Sequence, residues 1–191
     1  MIQKSPPSSF FHLSVIPNIY IDAKYATIDN FTGEELPGYH TTKDLWLHQS
    51  AQNSILQLVK SLEGVGLGLW VWDAYRPKRA TDAMVDWARR TEQYFLVTDG
   101  YIATRSRHNG GGAMDCSLYD LETVQLLDMG TEWDTFDEQS HIQNATGQAK
   151  ENRQLLHHHM NEIGWKSYDK EWWHFEMPDA HKFDILDIPY G

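Results

Sequence analysis

Three short stretches of the chain bring together residue types that can do chemistry. In SRHNGGGAMD (106–115), His108 and Asp115 are separated by six residues, three of them glycine. Glycine tolerates backbone angles other residues resist, so the chain can turn tightly between the two side chains. If 113–119 is a strand, alternation puts Ala113, Asp115 and Ser117 on one face and Met114, Cys116 and Leu118 on the other. Asp115 then points away from the apolar side, towards a metal or another partner. A polar loop with an exposed His and Asp is the plainer alternative. A phosphate-binding loop fits less well, because no Lys-Ser/Thr pair and no helical pattern follow the glycines. In EWWH (171–174), histidine and carboxylate are zinc-ligand types, and a nearby glutamate is the usual general base. The alternative is a core strand in which the tryptophans pack and the polar residues are incidental. In a regular strand Glu171 lies opposite His174, so both reach one ion only if Glu171 opens the strand or sits on a bulge. In DAYRP (73–77), Arg76 can stabilise an oxyanion with Asp73 holding it, or the two form a structural pair at a helix start.

These residues have to be positioned by the elements around them. A strand is expected near Ile19–Ile21 and a buried one over 67–72 (LGLWVW). The spacing of Ala51, Ile55, Leu58 and Leu62 predicts a helix to about Leu62, with Thr42 as its cap and Gly64 as its stop. Pro77 suits the first turn of a helix to about Thr91. Ala113–Tyr119 reads as a strand, 120–145 as mostly loop, 148–163 as a helix and 172–177 as an aromatic strand. Residues 1–9 read as a loose arm. No strand–helix crossover repeats regularly, so the expected class is α+β, one domain over 1–191 with helices on a largely antiparallel sheet. His157, His158 and His159 fall in the helical pattern and fan out around its axis, so they cannot face one ion together.

Composition removes several function classes. With 16 Lys and Arg against 27 Asp and Glu, the formal net charge is -11, which argues against nucleic acid and anionic membranes as main partners. Eight Trp and 41% hydrophobic residues are a globular composition. A single cysteine, Cys116, excludes an intrachain disulfide. No stretch approaches the ~20 apolar residues of a membrane span. A cytoplasmic location is expected, or a periplasmic one if a signal peptide has been removed.

Five motifs in order, DAKYATIDNFTG (22–33), DAYRP (73–77), SRHNGGGAMD (106–115), DMGTEWD (128–134) and EWWH (171–174), resemble the VanX-type zinc D-alanyl-D-alanine dipeptidases. The resemblance implies one Zn²⁺ held by His108, Asp115 and His174, with water in the fourth position. It implies Glu171 as general base and Arg76 as transition-state stabiliser. Tyr25, Ser106 and Asp134 match positions that grip the dipeptide, Asp134 being the partner of its free ammonium. The fold implied is that of the zinc D,D-peptidases. Two positions depart from the family pattern: Ala74 stands where Gly is frequent, and Gly110 where Arg is frequent. Two other activities use parts of the same set: a D,D-carboxypeptidase that trims peptidoglycan peptides, and a zinc-stabilised binding module without catalysis. In this reading the glycines leave room for substrate near Ser106, and replacing Asn109 costs little.

Overall fold

The computed structural model of the chain describes residues 7–40 and 43–190. In chain order its strands are β1 (Phe10–His12), β2 (Ile19–Ile21), β3 (Trp46–His48), β4 (Leu67–Asp73), β5 (Ala113–Asp120), β6 (Lys166–Tyr168) and β7 (Glu171–Glu176). The helices are α1 (Gln52–Glu63), α2 (Lys78–Arg90), α3 (Phe95–Thr98) and α4 (Gly147–Glu162). β1 and β3 form a two-stranded ladder, and the other five strands form one sheet in the order β2-β4-β5-β7-β6. Among the described residues only β2 with β4 is parallel; the other strand pairs are antiparallel. The class is α+β with a largely antiparallel sheet, as expected.

One face of the sheet is apolar. The register sets Leu69 beside Leu118, Val71 beside Cys116 and Met114 beside Phe175, and all six are buried. α1 packs on β4 and on α4, and α4 packs on β5. Ile55, Leu58, Val59 and Leu62 are the buried stripe of α1. His157 lays its ring against Phe175, with centroids 4.9 Å apart. Each such leucine contributes about 1.5–3 kcal/mol by leaving water, so this face anchors the sheet. One continuous cluster of buried apolar side chains runs from Phe10 to Tyr190.

The opposite face carries the chemistry, and two register irregularities build it. Val71 pairs with Cys116 but Asp73 pairs with Asp115, so one extra residue in β4 brings Asp73 beside Asp115. Ser167 pairs with Phe175 but Tyr168 pairs with Glu171, a slip of three residues. An odd slip exchanges the two faces of a strand. Glu171 therefore takes the place opposite Tyr168 that regular pairing would give His174.

The helix expected over 42–62 begins later. Trp46–His48 is a strand paired with Phe10–His12, and Gln49–Ala51 is a single 3₁₀ turn leading into α1. The distant partner β1 supplies a ladder that local periodicity cannot reveal. Thr42 lies outside the described residues, as do 1–6 of the expected arm; Ser9 is already tied in, its carbonyl accepting from the Gln49 amide. Pro77 is the residue just before α2 rather than its first.

Candidate active site

The turn before β5 is built from Ser106. Its hydroxyl accepts from the His108 amide at 3.2 Å, and its amide donates to Asn109 Oδ1 at 3.0 Å. This reciprocal cap winds Arg107–Gly110 into a 3₁₀ turn. The turn is bound to the end of β4: the Arg76 amide donates to the His108 carbonyl at 3.0 Å. Asn109 is fully buried, and its Nδ2 donates to the Arg76 carbonyl and to Thr81 Oγ1, both at 2.9 Å. These contacts argue against the expectation that replacing Asn109 costs little.

The glycines serve the packing of distant chain rather than a substrate. A Cβ on Gly110 would lie 2.6 Å from Phe183 Cβ, and one on Gly112 would lie 2.7 Å from Ala180 Cβ. Gly111 has φ of +69° and faces the Phe10 ring and the His48 amide. The run makes room for 180–184 and for β1, which corrects the expectation that it clears space near Ser106.

His108, Asp115 and His174 converge, and all three are buried. Asp115 is directly opposite His174 in the ladder. His108 Nε2 is 3.2 Å from His174 Nδ1 and 3.2 Å from Asp115 Oδ1, and His174 Nδ1 is 3.0 Å from Asp115 Oδ1. Donors about 2.0–2.1 Å from a tetrahedral zinc ion lie roughly 3.3–3.4 Å from one another. The triangle thus fits a small metal ion. The remaining ring nitrogens agree. His108 Nδ1 donates to the Ala74 carbonyl at 2.6 Å, which leaves Nε2 bare. His174 Nε2 faces Glu176 Oε1 at 3.4 Å, which leaves Nδ1 bare. Such outer partners fix tautomer and ring orientation.

The charge balance also calls for a cation here. Burial works against the charge of Asp115, yet His108 and His174 hold its carboxyl well below the usual carboxylate range. Burial pulls His174 down, but the Asp115 and Glu176 carboxylates more than reverse this and set it at about 10. A proton or a metal ion is favoured at this point.

The other residues singled out in the sequence surround the triangle. Glu171 Oε2 is 4.0 Å from His174 Nδ1. Burial lifts its carboxyl to about 8, His174 opposing and Asp115 adding to the rise. Arg76 Nε and Nη2 reach Asp73 Oδ2 at 2.9 and 2.8 Å, and Nη2 lies 3.7 Å from Asp115 Oδ2. Burial alone would lower the guanidinium pKa, but Asp73 and then Tyr25 keep it raised. The second oxygen of Asp73 accepts from the buried Tyr39 hydroxyl. At the start of α2 the Arg79 amide donates to Asp187 Oδ1 at 2.9 Å, whereas Asp73 is engaged with Arg76 and Tyr39.

Asp134 has φ of +58° and accepts from the Tyr25 hydroxyl at 2.7 Å. Burial and then Asp115 push its carboxyl well above the usual range. Tyr25, Arg76, Ser106, His108, Asp115, Asp134, Glu171 and His174 all line one cavity of about 250 Å³. All eight predicted site residues therefore share one space. The His157–His159 run does not join it: His157 Nε2 faces the Trp172 carbonyl and His159 faces Ser61.

Asn109 and Glu176 escaped the sequence reading. Glu176 is two residues from His174, and strand alternation puts both on one face, so the signal was present. Asn109 has one local partner, the Ser106 amide three residues back, but its two Nδ2 partners are 28 and 33 residues away.

Comparisons with known proteins place the chain in a family. A family model described as peptidase M15, D-ala-D-ala dipeptidase, matches residues 8–190. The chain is 34% identical to a D-alanyl-D-alanine dipeptidase of Enterococcus faecium over 92% of this chain and 94% of that protein. It is 36% identical to a D-alanyl-D-alanine dipeptidase of Escherichia coli over 90% of this chain and 86% of that protein. Among solved structures, the LdcB LD-carboxypeptidase shares the fold at a TM-score of 0.52 and 15% identity, covering 93% of this chain and 73% of that one. The chain belongs to the M15 peptidase family of D-ala-D-ala dipeptidases.

Proposed function

We propose that the chain hydrolyses D-alanyl-D-alanine to free D-alanine, using one Zn²⁺ held by His108, Asp115 and His174. The carrying observation is that these three donors lie 3.0–3.2 Å apart in a cavity that also presents Glu171 and Arg76. Three protein ligands suit catalysis, whereas structural zinc sites close with four. When bound, zinc supplies Lewis acidity, making water nucleophilic near neutral pH and polarising an amide carbonyl.

The chain's own groups do the rest. Glu171 takes the proton of the attacking water on its carboxylate and delivers it to the departing amine. Glu171 is buried in the cavity with Oε2 4.0 Å from His174 Nδ1, close enough to reach a water at the triangle. Arg76 offsets charge on the former carbonyl oxygen, and Asp73 and Tyr39 hold it there without rearrangement during the reaction. Asp134, steadied by the Tyr25 hydroxyl, accepts the free ammonium of the dipeptide. The Ser106 oxygen is engaged by the His108 amide, which leaves its O–H to donate to substrate.

The test is D-alanine release from free and N-acetylated D-Ala-D-Ala, combined with metal analysis. The free dipeptide is expected to be the better substrate. Equal cleavage of the blocked dipeptide would mark a carboxypeptidase, and full zinc without hydrolysis would mark a binding module. Glu171→Ala is expected to keep its zinc and lose about 10²–10⁴ in kcat; near-normal turnover refutes the role given to Glu171.

A further inference from the structure

Asp134 stands on a long irregular segment, 128–141, whose only regular piece is the turn Glu138–Ser140. Both ends of this segment are fastened to one point on α4. Asn152 Nδ2 donates to the Asp128 carbonyl at 2.7 Å. Arg153 does more: Nε donates to the Met129 carbonyl at 2.7 Å, Nη1 to the His141 carbonyl at 2.8 Å and Nη2 to the Gln139 carbonyl at 3.0 Å. The residue is 1% exposed, and its guanidinium lies over the Trp172 ring, 5.7 Å from the centroid.

A buried cation ordinarily meets a carboxylate. This one spends its hydrogen bonds on three backbone carbonyls of a single segment. The planar fork of donors allows that, and an ammonium could not reproduce it. The effect is to hold residue 129 next to residues 139 and 141, so that the segment closes into a loop.

Between these ends the loop rests on side chains: Trp172 Nε1 donates to Thr131 Oγ1 at 2.8 Å, and the Phe136 ring meets Phe31 at 4.9 Å and Tyr101 at 5.8 Å. Asp134 accepts from Tyr25, and Trp133 rests against the Tyr25 ring at 4.8 Å and the Trp72 ring at 5.7 Å. Beneath it lies a cleft of about 450 Å³ between 126–133 and Trp72, Ser117 and Trp172. The Trp133 indole nitrogen and the Ser117 hydroxyl are buried there without a hydrogen-bond partner among the described residues. The contacts at the apex are made by single side chains, whereas among the described residues Arg153 alone joins residue 129 to residues 139 and 141 and so fixes the span on which Asp134 stands.

We propose that Arg153 is a positioning residue for the amine end of the substrate: by clamping both ends of the 128–141 loop, it sets Asp134 against the cavity. The inference rests on the assignment of Asp134 to the substrate ammonium. The zinc-loaded full chain is compared with Arg153→Lys and Arg153→Met by steady-state hydrolysis of D-Ala-D-Ala and by amide hydrogen exchange. The expected result is a KM raised about tenfold with kcat within about twofold, the pattern of lost substrate binding. Faster exchange is expected in 129–141 and not in β5 or β7. Arg153→Lys keeps the charge and should fold even if Arg153→Met does not; it is expected to show the same KM defect. Unchanged KM with undisturbed exchange in 129–141 overturns the proposal. So does a loss of kcat accompanied by loss of zinc, which would mark a general structural role. Asp134→Asn is measured in parallel. If its KM is unchanged, the ammonium assignment fails, while the exchange of 129–141 still decides whether Arg153 clamps the loop.

Discussion

Asn109→Ala separates what the structure requires from what the sequence suggests. Asn109 is fully buried and makes three side-chain hydrogen bonds, two as donor and one as acceptor. Each is worth about 1 kcal/mol net. Truncation also leaves the buried Arg76 carbonyl and Thr81 Oγ1 facing an apolar methyl, while Ser106 is only half-buried. The expected loss is therefore about 2–4 kcal/mol, a fall in melting temperature of roughly 4–16 °C for a chain of this size. The damage should not stop at stability. The Asn109 amide group links the Arg76 backbone to the turn that carries His108, so zinc affinity should weaken as well. Chemical denaturation with and without a chelator measures the first effect, and competitive metal titration the second. A stability loss below about 1 kcal/mol together with unchanged zinc affinity would refute the reasoning and favour Asn109 as a replaceable loop residue.

Two other substitutions or treatments test the same framework. Gly110→Ala sets a methyl 2.6 Å from Phe183 Cβ and 3.0 Å from the Asp184 carbonyl, so the 180–184 segment must move; a loss of about 1–3 kcal/mol is expected in denaturant melts, and a neutral result would mean that the segment yields freely. Cys116 is fully buried and its thiol is pushed well above the ordinary range, by burial first and by Asp115 second. Iodoacetamide at neutral pH should therefore leave the folded chain unlabelled and label it after denaturation, as read by mass spectrometry.

Much of the site was legible because ligand chemistry restricts residue type. Histidine, aspartate and glutamate at 108, 115, 171 and 174 stand beside apolar strand patterns, and β5 alternates so plainly that the outward direction of Asp115 follows from it. The buried stripe of α1 and the stop at Gly64 were readable for the same local reason. β1 with β3 was not, since neither three-residue strand exists without the other. Arg153 reads as one more polar residue in a helix until the carbonyls it binds, 12 to 24 residues away, are in place.

The sequence by itself determined which groups are available: two imidazoles and a carboxylate for a metal, a second carboxylate for proton transfer, and a guanidinium after a buried strand. Only the tertiary structure decided that they meet. Period-two alternation would put Asp73 and Glu171 on the wrong face of the sheet. The one-residue bulge in β4 and the three-residue slip between β6 and β7 reverse both. Register depends on cross-strand pairing with segments far along the chain, and no local pattern carries that information.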